Sequence, residues 1–211
     1  FFFGLILASA LVLLRQVQGW NIARTLCLVA GLGIAATIAL SPTVNMHFGM
    51  VGIFLSGFLA ICAMILPGIS GSFILVLLGM YGTVLSALKS LDLGFILVFA
   101  MGAAIGLLTF SRLLHFLLHR FHEATMALLT GFLFGSLLVV WPWKHVLVWI
   151  EGSHGQLKPA QQVPVMPLEF TVLTGESSQL VLCLSLMVVG FALVWLIDAR
   201  WGGKQENPAE Q

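Results

Sequence analysis

The sequence predicts an all-α polytopic membrane protein, built of transmembrane helices plus one re-entrant helical hairpin. Three observations carry that reading. Of the 211 residues, 60% are hydrophobic and 8% charged, with a mean hydropathy of +1.08, whereas a soluble domain carries about 25% charged residues. From Thr25 to Leu88, 64 residues pass without an Asp, Glu, Lys or Arg, and about 20 already span a bilayer. Near the middle of that stretch stands Pro67-Gly68-Ile69-Ser70-Gly71-Ser72, its strongest breaker. So long an uncharged run must fold back on itself. In lipid, irregular backbone survives only where protein or a water-filled cavity satisfies its N–H and C=O groups. The turn therefore reads as a binding site at membrane depth.

Charge-poor runs set the elements in order: 1–14, about 22–40, about 49–66, about 72–90, 93–111, 124–141 and 179–197. The first has only 14 residues before Arg15 and is preceded by neither Met nor a basic n-region, so the chain is expected to start inside a helix with an N-terminal part missing. Ser41-Pro42-Thr43-Val44-Asn45 is a breaker turn. Residues 49–66 and 72–90 form the arms of the hairpin, with Pro67 to Ser72 near mid-depth. The segment from about 143 to 178 carries Pro159, Pro164, Pro167 and three Glu, and reads as a polar extracytoplasmic loop. One transmembrane domain thus covers 1–200, followed by a cytoplasmic tail, 201–211.

Basic residues orient the chain, since cytoplasmic loops are enriched in Lys and Arg. Arg15 and Arg24, Arg112 and Arg120, and Arg200 and Lys204 mark three inner regions. That leaves 41–48, 91–92 and 143–178 outside. The formal net charge of +1, with no basic run, excludes nucleic acid as a partner. Cys27, Cys62 and Cys183 stand singly in apolar runs and read as small hydrophobes.

Pro67 ends one helix and can begin the next. Gly68 and Gly71 permit backbone geometries closed to other residues. The N–H groups of about Ile69 to Ser72, with the Ser70 and Ser72 hydroxyls, form a helix end that suits an anion, phosphate being the commonest fit. Such residues also serve simply as kinks and packing points in membrane helices, and the residues alone leave both readings open. Gly102-xxx-Gly106 and Gly131-xxx-Gly135 have helix-packing spacing. Arg112 is either a snorkelling anchor or a paired functional cation. If its helix continues, Arg112, His115 and His119 share a face that a phosphate could occupy. Trp141-Pro142-Trp143-Lys144 reads as an interfacial corner.

Chemistry finds no catalytic residues. Arg112 and His119 echo a lipid phosphatase, but they enclose six residues and no Asp follows. No His, Cys, Asp or Glu cluster has metal spacing, and no cofactor is implied. The chain is not read as an enzyme.

The run Leu66-Pro67-Gly68-Ile69-Ser70-Gly71-Ser72-Phe73 through Leu78-Gly79-Met80-Tyr81 resembles the signature of the polyprenyl-phosphate transporter family, long filed as a domain of unknown function. Ser111-Arg112-Leu113-Leu114, Thr130-Gly131-Phe132-Leu133-Phe134-Gly135-Ser136-Leu137 and Trp141-Pro142-Trp143-Lys144 are similar to its later segment. The resemblance implies a carrier returning undecaprenyl phosphate across the bacterial cytoplasmic (inner) membrane for cell-wall carrier-lipid recycling. It also implies an inverted repeat with two Pro-Gly-x-Ser-Gly turns, the earlier one lying upstream of Phe1. The head group is expected at Gly68, Ile69, Ser70, Gly71 and Ser72 with Arg112 as cationic partner, and the prenyl tail among membrane lipids. A coupling ion, H+ or Na+, and a homo-oligomer are further partners that such a carrier admits. A small-anion channel or exporter using the same helix end is the alternative, and a lipid-phosphate enzyme a more distant one.

Overall fold

The computed structural model describes residues 1–43, 49–151, 157–175 and 177–201. Among them are α1 (Phe2–Gln16), α2 (Ile22–Leu40), α3 (Gly49–Ile65), α4 (Gly71–Leu77), α5 (Tyr81–Ser90), α6 (Leu93–Arg120) and α7 (His122–Ser136). A two-stranded sheet, β1 (Lys144–Glu151) and β2 (Leu157–Pro164), follows, then α8 (Pro167–Thr174) and α9 (Leu180–Trp201). α2, α6 and α9 are each long and apolar enough to cross a membrane. This is a multi-pass, helical membrane protein.

Among the described residues, glycine makes three close helix–helix seams. Gly31 of α2 faces the Leu128 carbonyl of α7, while Gly131 and Gly135 of α7 face the Leu28 and Leu32 carbonyls of α2. Gly57 of α3 faces the Phe99 carbonyl of α6, and Gly102 and Gly106 of α6 face the Phe54 and Phe58 carbonyls of α3. Gly4 of α1 faces the Met187 carbonyl of α9, and Gly190 faces that of Phe1. Helices in lipid gain little from hydrophobic burial, so close backbone approach through small residues drives their association. The packing role expected of both glycine pairs is what the structure shows. The pairings also fix direction. Phe54 meets Gly102 and Phe58 meets Gly106, so α3 and α6 run parallel, as do α2 and α7. In the α1–α9 seam the Arg15 guanidinium lies 4.2 Å from the Trp195 ring centroid, near the C-terminal end of both helices.

On the Arg-rich side, the Asn21 side chain caps α2 by accepting from Arg24 N–H at 2.9 Å. The Arg24 guanidinium donates to the carbonyls of Gln18 and Gly19. Gln18 N–H donates to Glu123 Oε2 at 2.8 Å, tying this connection to the start of α7.

Four expected boundaries move. The run 72–90 is not one arm: α4 stops at Leu77, and α5 leaves at 108° to it. Gly79, at φ +69°, ends α4, with Met80 N–H reaching the Leu75 carbonyl at 2.9 Å and Gly79 N–H that of Val76 at 3.0 Å. This is a Schellman end. Leu75 and Met80 pack in one buried cluster with Ala60 and Leu78, against Phe95 and Phe99. The run 93–111 continues to Arg120, because charge closes an apolar count without breaking a helix. α7 stops at Ser136 instead of 141, where residues 137–140 form a turn. The loop 143–178 contains the β1–β2 hairpin and α8. Residues 44–48 of the breaker connection and 202–211 of the tail lie outside the described residues.

Candidate functional site

α3 ends at Ile65, and the chain turns through Leu66–Ser70. Leu66 N–H bonds the Ala63 carbonyl at 3.1 Å, and Ile69 N–H bonds that of Leu66 at 3.4 Å. The Ile69 donor is therefore spent within the turn. Gly68 has φ +88°, a conformation glycine adopts freely. A side-chain carbon there would overlap Ser136 Oγ and stand 2.7 Å from Ser136 Cβ. Gly71 approaches α3 closely, since a carbon on it would lie 2.8 Å from the Ala60 carbonyl. Gly68 thus seats the turn on the end of α7, and Gly71 seats it on α3.

Two hydroxyls face out of this junction. Ser70 Oγ and Ser72 Oγ are exposed and 2.7 Å apart. The buried hydroxyls behave otherwise. Ser56, Thr130 and Ser136 donate to carbonyls three or four residues back in their own helices, at 2.7, 2.7 and 2.8 Å. The Ser70 and Ser72 hydroxyls bond only one another among the described residues. The N–H groups of Ser70, Gly71 and Ser72 meet no acceptor among those residues either. Two hydroxyls that can both turn to donate, beside unengaged backbone donors, suit an oxyanion. α4 has only seven residues, so hydroxyls and turn donors matter here more than any helix macrodipole.

Arg112 stands apart from this group. It is exposed on α6, and no hydrogen bond or ring contact joins it to the turn among the described residues. The helix register nonetheless brings it level. Phe58 lies against Gly106, so Met64 and Arg112, each six residues further along parallel helices, sit at similar heights. The helix does continue past Arg112, and His115 and His119 lie along it with ring centroids 4.9 Å apart. Among the described residues, no three His, Cys, Asp or Glu side chains gather where a metal could sit.

Ser136 is the residue that sequence reasoning passed over. It is 1% exposed, and its Cβ fills the space in front of Gly68, joining the two motif blocks physically. Beyond it, Trp141 Nε1 donates to the Val165 carbonyl and Trp143 Nε1 to that of Ser178, at 2.9 and 2.8 Å. The two tryptophans thus fix the corner's backbone, the structural role that its composition suggests. Its Lys144 Nζ donates back to the Val139 carbonyl at 2.5 Å, and burial pushes that ammonium below the usual lysine range.

The model of the undecaprenyl phosphate translocase-like family matches residues 1–158, which include the turn, Arg112 and Ser136. This chain belongs to that family. A polyprenyl-phosphate transporter of Vibrio cholerae is 45% identical over 194 residues, covering 92% of this chain and 63% of the relative. A polyprenyl-phosphate transporter of Staphylococcus aureus is 29% identical over 161 residues, covering 67% of this chain and 57% of its own length. The chain thus spans about three fifths of the curated relatives it matches. No solved structure matches it.

Proposed function

We propose that this protein carries polyprenyl phosphate, in the form of undecaprenyl phosphate, across the bacterial cytoplasmic membrane and returns the carrier lipid inward. The observation that carries the reading is the exposed Ser70–Ser72 hydroxyl pair in a family-matched turn, beside unengaged backbone donors. The phosphate would take those hydroxyls and N–H groups, while the prenyl chain stays in lipid between helices. Two gauges support a turn near mid-membrane, with α3–α5 as a re-entrant hairpin. Arg112, level with the end of α3, is about 12 Å along α6 from Arg120. Ser136, which Gly68 touches, is about 21 Å along α7 from His122. Arg112 is the proposed cationic partner on the inner side, where a guanidinium can fork onto phosphate. Rocking of packed helix groups around the turn would alternate access.

Proteoliposomes loaded with radiolabelled polyprenyl phosphate, with phosphatase added outside, test this reading. The protein should erode the enzyme-protected inner pool of lipid. Losing two hydrogen bonds to a charged group, the Ser70→Ala/Ser72→Ala double variant should slow this at least about tenfold. Arg112→Lys should slow it strongly and Arg120→Lys should not. Wild-type rates in the double serine variant would remove the turn as the head-group site.

A further inference from the structure

We propose that Lys144 is a second cationic contact for the head group held at the Ser70–Ser72 turn, approaching it from the α7 side. The proposal rests on the lipid-phosphate reading of that turn. The geometry runs through one junction. Gly68 packs on Ser136, and the Ser136 carbonyl accepts N–H groups from Val139 and Val140 at 2.9 and 3.3 Å. The Val139 carbonyl in turn accepts from Lys144 Nζ. Residues three apart in a turn lie within about 7 Å, so the ammonium is brought to within on the order of 10 Å of Ser136, the residue on which Gly68 is seated.

The backbone holding Lys144 is fixed from both sides. Trp143 is 4% exposed, its indole N–H bonds the Ser178 carbonyl, and its own carbonyl accepts Val165 N–H at 3.0 Å. Lys144 itself is paired with Pro164 in the sheet. An ammonium offers three donors, and one is used. The half-buried charge has no carboxylate partner among the described residues. A desolvated cation without an acid beside it gains most from an arriving anion. On the positive-inside orientation, Lys144 and Arg112 then flank the turn from opposite sides of the membrane. One would take the phosphate from the outer leaflet and the other would receive it near the inner one.

The competing role is a plain cap on the residues that end α7. Glutamine can keep that hydrogen bond without charge, and arginine keeps both. Binding of undecaprenyl phosphate and of uncharged undecaprenol is measured on the purified protein in nanodiscs. K144Q should melt like wild type, bind the phosphate roughly tenfold or more weakly, and bind the alcohol unchanged. K144R should stay within about threefold of wild type. Wild-type phosphate affinity in K144Q would reduce Lys144 to a cap. Should K144Q misfold, amine acetylation of the unaltered protein decides. Undecaprenyl phosphate, but not undecaprenol, should shield Lys144 while leaving exposed Lys89 reactive, and equal labelling of Lys144 overturns the proposal. If the wild-type protein shows no preference for phosphate over alcohol, the head-group reading itself fails and takes Lys144 with it. If Ser70→Ala/Ser72→Ala loses that preference while K144Q keeps it, the turn stands and only Lys144 falls.

Discussion

The helix seams and the hairpin turn both depend on glycine, but for different physical reasons. In the seams, Gly31, Gly57, Gly102, Gly131 and their partners have ordinary helical backbones and matter for the volume they leave empty. At the turn, Gly68 and Gly79 have φ of +88° and +69° and matter for a conformation that other residues resist. Gly68 carries both burdens, because Ser136 also occupies the place of its missing side chain. Volume and conformation respond to different substitutions, so the two contributions can be separated.

The largest effect is expected in a seam. Gly131→Leu drives a side chain into the Leu28 carbonyl, which belongs to backbone and cannot swing aside. Overpacking a core costs about 1–3 kcal/mol even when side chains can adjust. Loss of monodisperse protein in size-exclusion chromatography is expected, and a normal elution profile would mean that the seam is slack.

A smaller effect is expected at Gly68→Ala, which combines the left-handed penalty of about 1–2 kcal/mol with the Ser136 overlap. Adding Ser136→Gly should relieve only the second part. A double-mutant cycle on thermal unfolding should therefore recover some, not all, of the loss. Complete recovery would show that conformation matters little at this turn. The smallest effect belongs to Gly79. Asn tolerates the left-handed region, so Gly79→Asn should cost less than about 1 kcal/mol while Gly79→Val costs clearly more. Equal costs would mean that Gly79, like the seam glycines, is needed for space.

The same contrast explains what could be read from the chain. α2 appears at 22–40 as its charge-poor run demands, and the break after Ile65 follows from Pro67 and Gly68. Gly102, Gly106, Gly131 and Gly135 announce packing because helical spacing shows in a string of letters. Gly79 stands inside the apolar run Phe73–Leu88 with no proline or charge nearby. Its signal was the pair Leu75 and Met80 placed to close a Schellman end. The strand pairing from Lys144 was hidden by prolines and glutamines, although Val146, Val148 and Ile150 alternate. The turn was legible as a site because its residue types are unusual in lipid. Ser136 was not, because its role depends on a neighbour 68 positions away in the chain.

Parallel seams have a consequence for synthesis. Two neighbours that cross the bilayer in the same direction cannot be joined by a short link, so each waits for a partner made later. Gly131 follows Gly31 by a hundred positions, about 5–20 s of translation. α1 waits longer still, until α9 emerges. During that interval the glycine face of an inserted helix meets only lipid or whatever assists insertion. The early helices therefore have to be apolar enough to stay in the membrane alone, and α2, with no acidic residue and its one arginine near its start, meets that demand.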